Sequence, residues 1–227
     1  MVHPLDNPVW SALSGRQQRF NIGDEQLKYF PADVASFVGL KNWDASDLRA
    51  LEERLPAGRT FSIPLSKPVI IPDCFEVLFE IPLYQMVCSS LNRQTLPVLP
   101  LQKLGKKHLQ QMLDLTALTK PGPFYEHTMD FGNYYGVMEG PRLLAMTGER
   151  MKAKGFTEVS AICTQPDQMG KGYASILLQH ACERIFSKGE QPFLHVRQDN
   201  PSALHVYKKF GFEVRTEIYY AIFKRKS

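Results

Sequence analysis

The chain is short of cysteine, of long apolar runs and of concentrated charge, and each shortage removes a class of protein. Its four cysteines, Cys74, Cys88, Cys163 and Cys182, show no Cys-x-x-Cys spacing. Neither a zinc site nor a disulfide framework is expected, and their apolar sequence contexts point to reduced, buried thiols. No apolar segment approaches the roughly 18 residues of a membrane span, and Met1–Asp6 lacks the basic-then-apolar layout of a secretion signal, so a cytoplasmic protein is expected. Lysine and arginine exceed aspartate and glutamate by only four (27 against 23), and the basic residues are scattered apart from Lys224–Lys226. Neither nucleic acid nor membrane is an expected partner. No cluster of histidine and carboxylate residues has metal-ligand spacing, so no metal is expected.

What is present is a chain of 227 residues, 44% hydrophobic, which is enough to bury a core of one elaborated domain or two smaller lobes. The most informative stretch is Cys163–Ala174, where an apolar strand breaks into a loop with Gly170 and Gly172 and opens into an amphipathic helix. The first N–H groups of a helix have no intrahelical partner, and glycine lets the backbone approach a ligand closely. Such a loop therefore favours an anion such as phosphate. The helix after it repeats Ala174, Leu177, Leu178, Ala181, Cys182 and Ile185 on one face, which should pack on a sheet. A second apolar strand, Pro192–Val196, leads to another helix, in which Asn200 is the N-cap, Pro201 the first helical residue and Gly211 the stop.

These two units resemble the GNAT superfamily of acyl-CoA-dependent N-acyltransferases. The family loop runs Arg/Gln-x-x-Gly-x-Gly/Ala, and Met169–Ala174 matches it at every position but the first, where Met169 departs and Gln168 stands one place earlier. The Asn-x-x-Ala-x-x-x-Tyr-x-x-x-Gly-Phe pattern is complete as Asn200, Ala203, Tyr207, Gly211 and Phe212. Further segments, Leu118–Phe124, Gly132–Gly136 and Leu144–Met151, are similar to bacterial acetyltransferases related to the C-terminal half of glycine N-acyltransferases. The similarity spans about Leu99 to Arg225, with a weaker match at Asn7–Trp10.

The resemblance implies a mixed α/β GNAT fold with a central, mostly antiparallel sheet, preceded by an N-terminal α+β lobe. It implies acetyl-CoA as the acyl donor, with coenzyme contacts at Ile162, Cys163 and Thr164. It also implies contacts along Met169, Gly170, Lys171, Gly172, Tyr173 and Ala174, and at Asn200, Ala203 and Tyr207. Backbone N–H groups of Ile162–Thr164 are the implied oxyanion donors, in a strand that diverges from its neighbour. Tyr207 matches the family's proton donor to the departing thiolate, a role open to a phenol with an ordinary pKa near 10. Lys171, Lys208 and Lys209 would attract the coenzyme phosphates or form a solvated face.

The general base is read from the residues alone. Glu149, at the end of the Leu144–Gly148 strand, is the candidate, since partial desolvation would raise its pKa. The competing reading is an ion pair with Arg150, Arg142 or a lysine. His127 and His195 are further candidates.

Along the rest of the chain, a short helix is expected within Asp6–Arg19 and a capped one over Asp44–Leu55. Strands are expected over Arg59–Leu65 and Phe75–Val87, with Pro82 marking a bulge or edge. Ser89–Pro100 is the candidate linker, giving lobes 1–95 and 96–227, with a degenerate GNAT-like half as one reading of the first. A helix over Lys106–Thr119 follows, then a loop, Phe124–Asp130, over the acceptor pocket. Strands are expected at Tyr134–Glu139, Arg142–Gly148 and Glu158–Thr164. The acceptor is a small amine or amino acid, with a protein N-terminus and a homodimer both left open. A non-catalytic acyl-CoA-binding regulatory module is the alternative, and an adaptor acting through residues 1–95 is a third.

Overall fold

The computed structural model describes residues 3–67 and 69–226, so Met1 and Val2 of the opening stretch lie outside the described residues. The helix expected within Asp6–Arg19 is shorter, α1 (Pro8–Leu13), because Asn7 caps its start and the chain turns at Ser14–Gly15. A single 3-10 turn at Gln18–Phe20 follows. Two short strands, β1 (Leu27–Tyr29) and β2 (Val38–Leu40), pair with each other apart from the main sheet. Helix α2 (Ala45–Arg54) starts where its cap predicts, the Asp44 carboxylate accepting from the amides of Ser46 and Asp47.

The main sheet has eight strands in the order β3-β10-β4-β9-β8-β7-β6-β5. They are β3 (Thr60–Leu65), β4 (Phe75–Cys88), β5 (Leu101–Leu104), β6 (Tyr134–Glu139), β7 (Arg142–Glu149), β8 (Phe156–Thr164), β9 (Gln191–Arg197) and β10 (Phe212–Arg225). Every neighbouring pair is antiparallel except β8 with β9. Pro82 stands where β9 has ended, so its missing N–H breaks no ladder on that side.

Successive strand residues face opposite sides, and the two sides have different covers. Leu194 and Val196 meet α4 (Tyr173–Phe186) and α5 (Pro201–Lys209), where Leu178, Cys182 and Ile185 are buried as the helical repeat predicts. Phe193 faces the other way, into a core with Leu5, Val9, Leu13 and Phe30 from the N-terminal segment. On that second side α3 (Leu109–Thr119) packs Met112 and Leu115 against Met146, Ala161 and Cys163.

The division at residue 95 runs through the main sheet. β4 lies between β9 and β10, and β3 completes the far edge of β10, so residues 1–95 supply strands to the same sheet as residues 96–227. The Ser89–Pro100 segment is free of helix or strand, yet tied down by Asn92 to Phe210 and by Gln94 to Gln179. Polar bonds also stitch the N-terminal segment to the second side: Gln17 donates to the Arg150 carbonyl at 2.9 Å, and Thr128 to the Val34 carbonyl at 2.7 Å. Among the described residues no helix is long and apolar enough to cross a membrane, and no group of His, Cys, Asp and Glu is arranged to hold a metal.

Candidate active site

β8 and β9 run parallel but pair only at Phe156–Glu158 with Gln191–Phe193. Beyond that, β8 continues to Thr164 paired to β7 alone, and β9 continues to Arg197 paired to β4 alone. The sheet therefore forks, and among the described residues no strand pairs with the β9-facing edge of β8 from Val159 to Thr164. This is the divergence that the sequence could only borrow from a resemblance.

Inside the fork β8 carries a bulge. Met146 pairs with Cys163 and Gly148 with Ser160, so Ala161 and Ile162 together oppose Thr147. Ala161 takes φ 52°, a left-handed conformation that an alanine adopts at a cost of about 1 kcal/mol or more. Bulges re-aim backbone and side-chain groups, and this one redirects the strand at Ala161–Ile162. Cys163 is buried, and burial pushes its thiol up to about 11, so it remains a thiol at neutral pH.

β8 leads through a 3-10 turn at Pro166–Gln168 into the glycine loop. Gly170 and Gly172 have φ 80° and 79°, and a Cβ added at either would meet nothing within 4 Å. Gly172 is the N-cap of α4 and offers no side-chain cap. No protein acceptor among the described residues takes the amides of Gly170 through Ser175. The loop is thus an open cradle of N–H groups at a helix start, suited to a diphosphate. Met169 is 73% exposed and holds nothing. Gln168 is buried, not turned into the cradle, and its Oε1 tethers the Lys171 ammonium at 2.7 Å beside the loop. Asn200 caps α5 as expected, its Oδ1 accepting from the Ala203 amide at 3.1 Å.

Tyr207 lies half-buried on α5 in the cluster that contains Ile162, with its ring 5.9 Å from that of Phe212. Its hydroxyl has no protein hydrogen-bond partner among the described residues, and burial pushes its pKa up to about 12.

The surroundings of Glu149 oppose the raised pKa that a general base would need. Its carboxylate is buried and held by Lys188 at 2.8 Å, Lys152 at 3.0 Å and Asn133 at 3.2 Å. Burial alone would raise its pKa, but the Lys188 and Lys152 contacts overcome this and hold it at about 2. This is the ion-pair reading, made with lysines instead of Arg150 or Arg142. His127 is exposed and paired with Asp130 at 3.1 Å, and His195 is buried against Glu158 at 2.8 Å. Neither presents a free nitrogen to the fork.

On the second side of the sheet, next to the bulge, is a recess lined by Pro121–Phe124, Thr128, Tyr134, Arg150, Ser160 and Ala161, closed down to about 10 Å³. Tyr134 donates to the Thr128 carbonyl at 3.3 Å. Arg150 gives Nε and Nη2 to Glu158 at 2.8 and 2.7 Å, leaving Nη1 without a protein partner among the described residues. Burial opposes the Arg150 charge, yet Glu158 beside it raises the guanidinium pKa above its ordinary value. A larger groove of about 430 Å³, lined by Leu113, Ala117, Lys120 and Phe124 among others, lies across the Pro121–Phe124 loop. Arg150 and Ser160 were not singled out from the sequence; the one available signal was the opposite charge of Arg150 and Glu158 on either side of a strand turn.

Comparison with known proteins bears on this geometry. The whole chain is similar to a protein from Novosphingobium aromaticivorans described as an acetyltransferase of the GNAT family, with 29% identity, a TM-score of 0.90 and full coverage of both chains. A GCN5-related N-acetyltransferase from Kribbella flavida is similar at 13% identity and a TM-score of 0.60, over 96% of this chain and 95% of that one. A GCN5-related N-acetyltransferase-like protein from Streptococcus suis is similar at 12% identity and a TM-score of 0.53, over 96% and 92%. The family model described as FR47-like protein matches residues 134–221, from β6 into β10. No curated protein sequence matches the chain. The fold is that of the GNAT acetyltransferases, with an FR47-like segment containing the fork, the glycine loop and Tyr207.

Proposed function

With a GNAT acetyltransferase fold as premise, we propose that the protein transfers an acetyl group from acetyl-CoA to a primary amine by direct attack within a ternary complex. The observation that carries this reading is the joining of two features by one strand. β8 loses its partner after Glu158 and then delivers the unpaired amides of Gly170–Ser175 at the start of α4. One feature suits a linear amide-bearing arm and the other a diphosphate. Bound there, acetyl-CoA supplies an activated acyl carbon and a thiolate leaving group.

The chain's own groups divide the remaining work. Backbone N–H groups within Ile162–Thr164, next to the bulge at Ala161, donate to the acyl oxygen as it gains charge. Tyr207 keeps its proton throughout the neutral range and donates a hydrogen bond toward the departing sulfur. With a phenol near 12 and a thiol near 8.5, complete transfer from Tyr207 runs uphill, so its part is stabilisation of the thiolate more than delivery of a proton. Glu149, His127 and His195 are each engaged by other protein groups, so the amine enters in its neutral form or loses its proton to water.

The recess beside the bulge has room for about one water molecule, so Pro121–Phe124 must shift before an acyl group or an acceptor enters it. Its uncommitted polar groups, Arg150 Nη1 and the Ser160 hydroxyl, are hydrogen-bond donors, and the nearby carboxylates are taken. An amine that carries a carboxylate, as an amino acid does, suits that lining better than a bare diamine. Titration calorimetry with acetyl-CoA tests the donor, and an amine panel reading free thiol tests transfer. The absence of heat at high micromolar acetyl-CoA would remove the proposal. Binding without turnover, unaltered by Tyr207→Phe, would favour a regulatory acyl-CoA-binding module.

A further inference from the structure

A continuous polar chain, buried at its centre, crosses the sheet at the apex of the fork. Arg150, just past β7, grips Glu158 on β8 through two bonds, and Glu158 Oε1 lies 2.8 Å from His195 Nδ1 on β9. His195 Nε2 is 3.1 Å from Gln85 Nε2 on β4, and that amide also donates to the Leu5 carbonyl at 3.0 Å. Gln85 Oε1 accepts from Arg215 Nη1 on β10 at 2.8 Å, and Arg215 pairs in turn with Asp6. Glu158 and Gln85 are 0% exposed.

Only one assignment of hydrogens satisfies this chain. Glu158 is ionised, since burial would raise its pKa but Arg150 and His195 bring it down to about 2, so His195 Nδ1 must donate to it. Gln85 turns its NH2 toward His195 and Leu5 because its oxygen faces Arg215, so His195 Nε2 must accept. The bonding pattern therefore puts a proton on His195 Nδ1 and makes Nε2 an acceptor, so both nitrogens are engaged.

The position of the chain matters as much as its completeness. Three ladder pairs alone join β8 to β9, and the last of them is Glu158 with Phe193. His195 stands two residues beyond Phe193, where no backbone bonds link the halves of the sheet. Replacing buried ion pairs by apolar residues is often neutral or favourable for stability, so stability alone does not call for charge here.

We propose that Glu158, His195 and Gln85 form a brace that sets the width of the fork, anchored at one end by Asp6 and at the other by Arg150 beside the recess. His195 is a positioning residue: it touches neither donor nor acceptor but fixes β9 relative to the β8 bulge. This rests on the acetyltransferase reading above. It also assigns work to the start of the chain, since Leu5 and Asp6 hold the members farthest from the recess.

The test compares the full-length protein with His195→Leu, which fills the space without bonds, and His195→Gln, which restores a donor and an acceptor. Hydrogen exchange in the absence of ligand is expected to quicken at least tenfold in β8 beyond Glu158 and in β9 of the leucine variant, with β6 and the start of β7 unchanged. Its kcat is expected to fall at least tenfold while KM for acetyl-CoA stays within about threefold, because the glycine loop is untouched. The glutamine variant should recover much of both. Unchanged exchange and kcat in His195→Leu would overturn the brace. So would a uniform rise in exchange together with a lost melting transition, which marks a merely structural residue. If the unmodified protein turned over no amine, the acetyltransferase reading would fail separately, and the exchange comparison would still decide whether the brace exists.

Discussion

Glu158 on β8 and Phe193 on β9 are the last residues at which the sheet is whole. Their side chains share little chemistry, one being tied to Arg150 and the other packed with Leu5 and Phe30, yet the fork begins where their pairing ends. Everything placed beyond them, the bulge at Ala161, the recess and the approach to Tyr207, depends on two half-sheets held apart at a fixed angle.

The glycine loop should be sensitive to a single methyl group. At φ near 80°, Gly172→Ala carries a strain of about 1 kcal/mol, which lowers the melting temperature by a few degrees. The added Cβ meets no protein atom, so any larger effect must come from a ligand in the cradle. Calorimetry should show acetyl-CoA binding weakened roughly tenfold or more, equivalent to about 1.4 kcal/mol. An unchanged dissociation constant would mean that the diphosphate lies elsewhere.

Tyr207→Phe separates chemistry from packing. The hydroxyl makes no protein hydrogen bond among the described residues, so its removal should change stability by less than about 0.5 kcal/mol. A lost hydrogen bond to the departing thiolate should lower kcat by about tenfold, less than the loss of a full proton donor, with coenzyme affinity unaltered. Steady-state assays reading free thiol would check this, and an unaffected kcat would place Tyr207 in the core alone.

Much of the fork side was legible in the sequence because local rules govern it. The Asn200 cap, the Gly170 and Gly172 turn and the apolar repeat of α4 each act over a few residues, and each lies where propensity and spacing put it. The long final strand β10 drew no reading of its own, since Phe212–Arg225 mixes charged and aromatic residues across two register shifts that blur its alternation. The place of β4 between β9 and β10 was invisible because partners more than a hundred residues apart leave no local mark. Glu149 stayed open between base and ion pair for a related reason: Lys188, which helps hold its carboxylate low, lies just past the end of α4.

The pH profile should report the amine and not the enzyme. Glu149 and Glu158 are both held at about 2, so neither changes charge between pH 5 and 9. Below the acceptor's own pKa, log(kcat/KM) is then expected to climb about one unit per pH unit, following the neutral amine. Acceptors of different pKa should shift the curve accordingly. A shoulder near pH 6 to 7 that stays fixed across acceptors would instead reveal a titrating base on the protein.

The same two carboxylates set the acid limit of the fold. Each has a folded pKa depressed from 4.5 to about 2, so its contribution is fully present above 4.5 and is lost as the pH falls toward 2. On the order of 1 to 3 kcal/mol should disappear for each across that window. Thermal melts from pH 6 to pH 3 should therefore show a steep drop below pH 4.5, and a flat response would contradict the ion pairing of both residues.

Ala161 offers the sharpest separation of backbone shape from side-chain chemistry, because its methyl group can take no part in a reaction. Its φ of 52° is a conformation that glycine adopts freely and that a β-branched residue strongly resists. Ala161→Gly should keep the bulge and most activity, relieved strain offsetting the entropy glycine adds to the unfolded chain, for a net change within about 1 kcal/mol. Ala161→Val must either bear a penalty of about 2 kcal/mol or more or shift the bulge along β8. A shifted bulge would re-aim the amides of Ile162–Thr164, so kcat should fall at least tenfold even if the variant folds. Melting curves and kcat measured on both variants decide the matter, since a bulge that served only packing would leave the valine variant less stable but as fast per folded molecule.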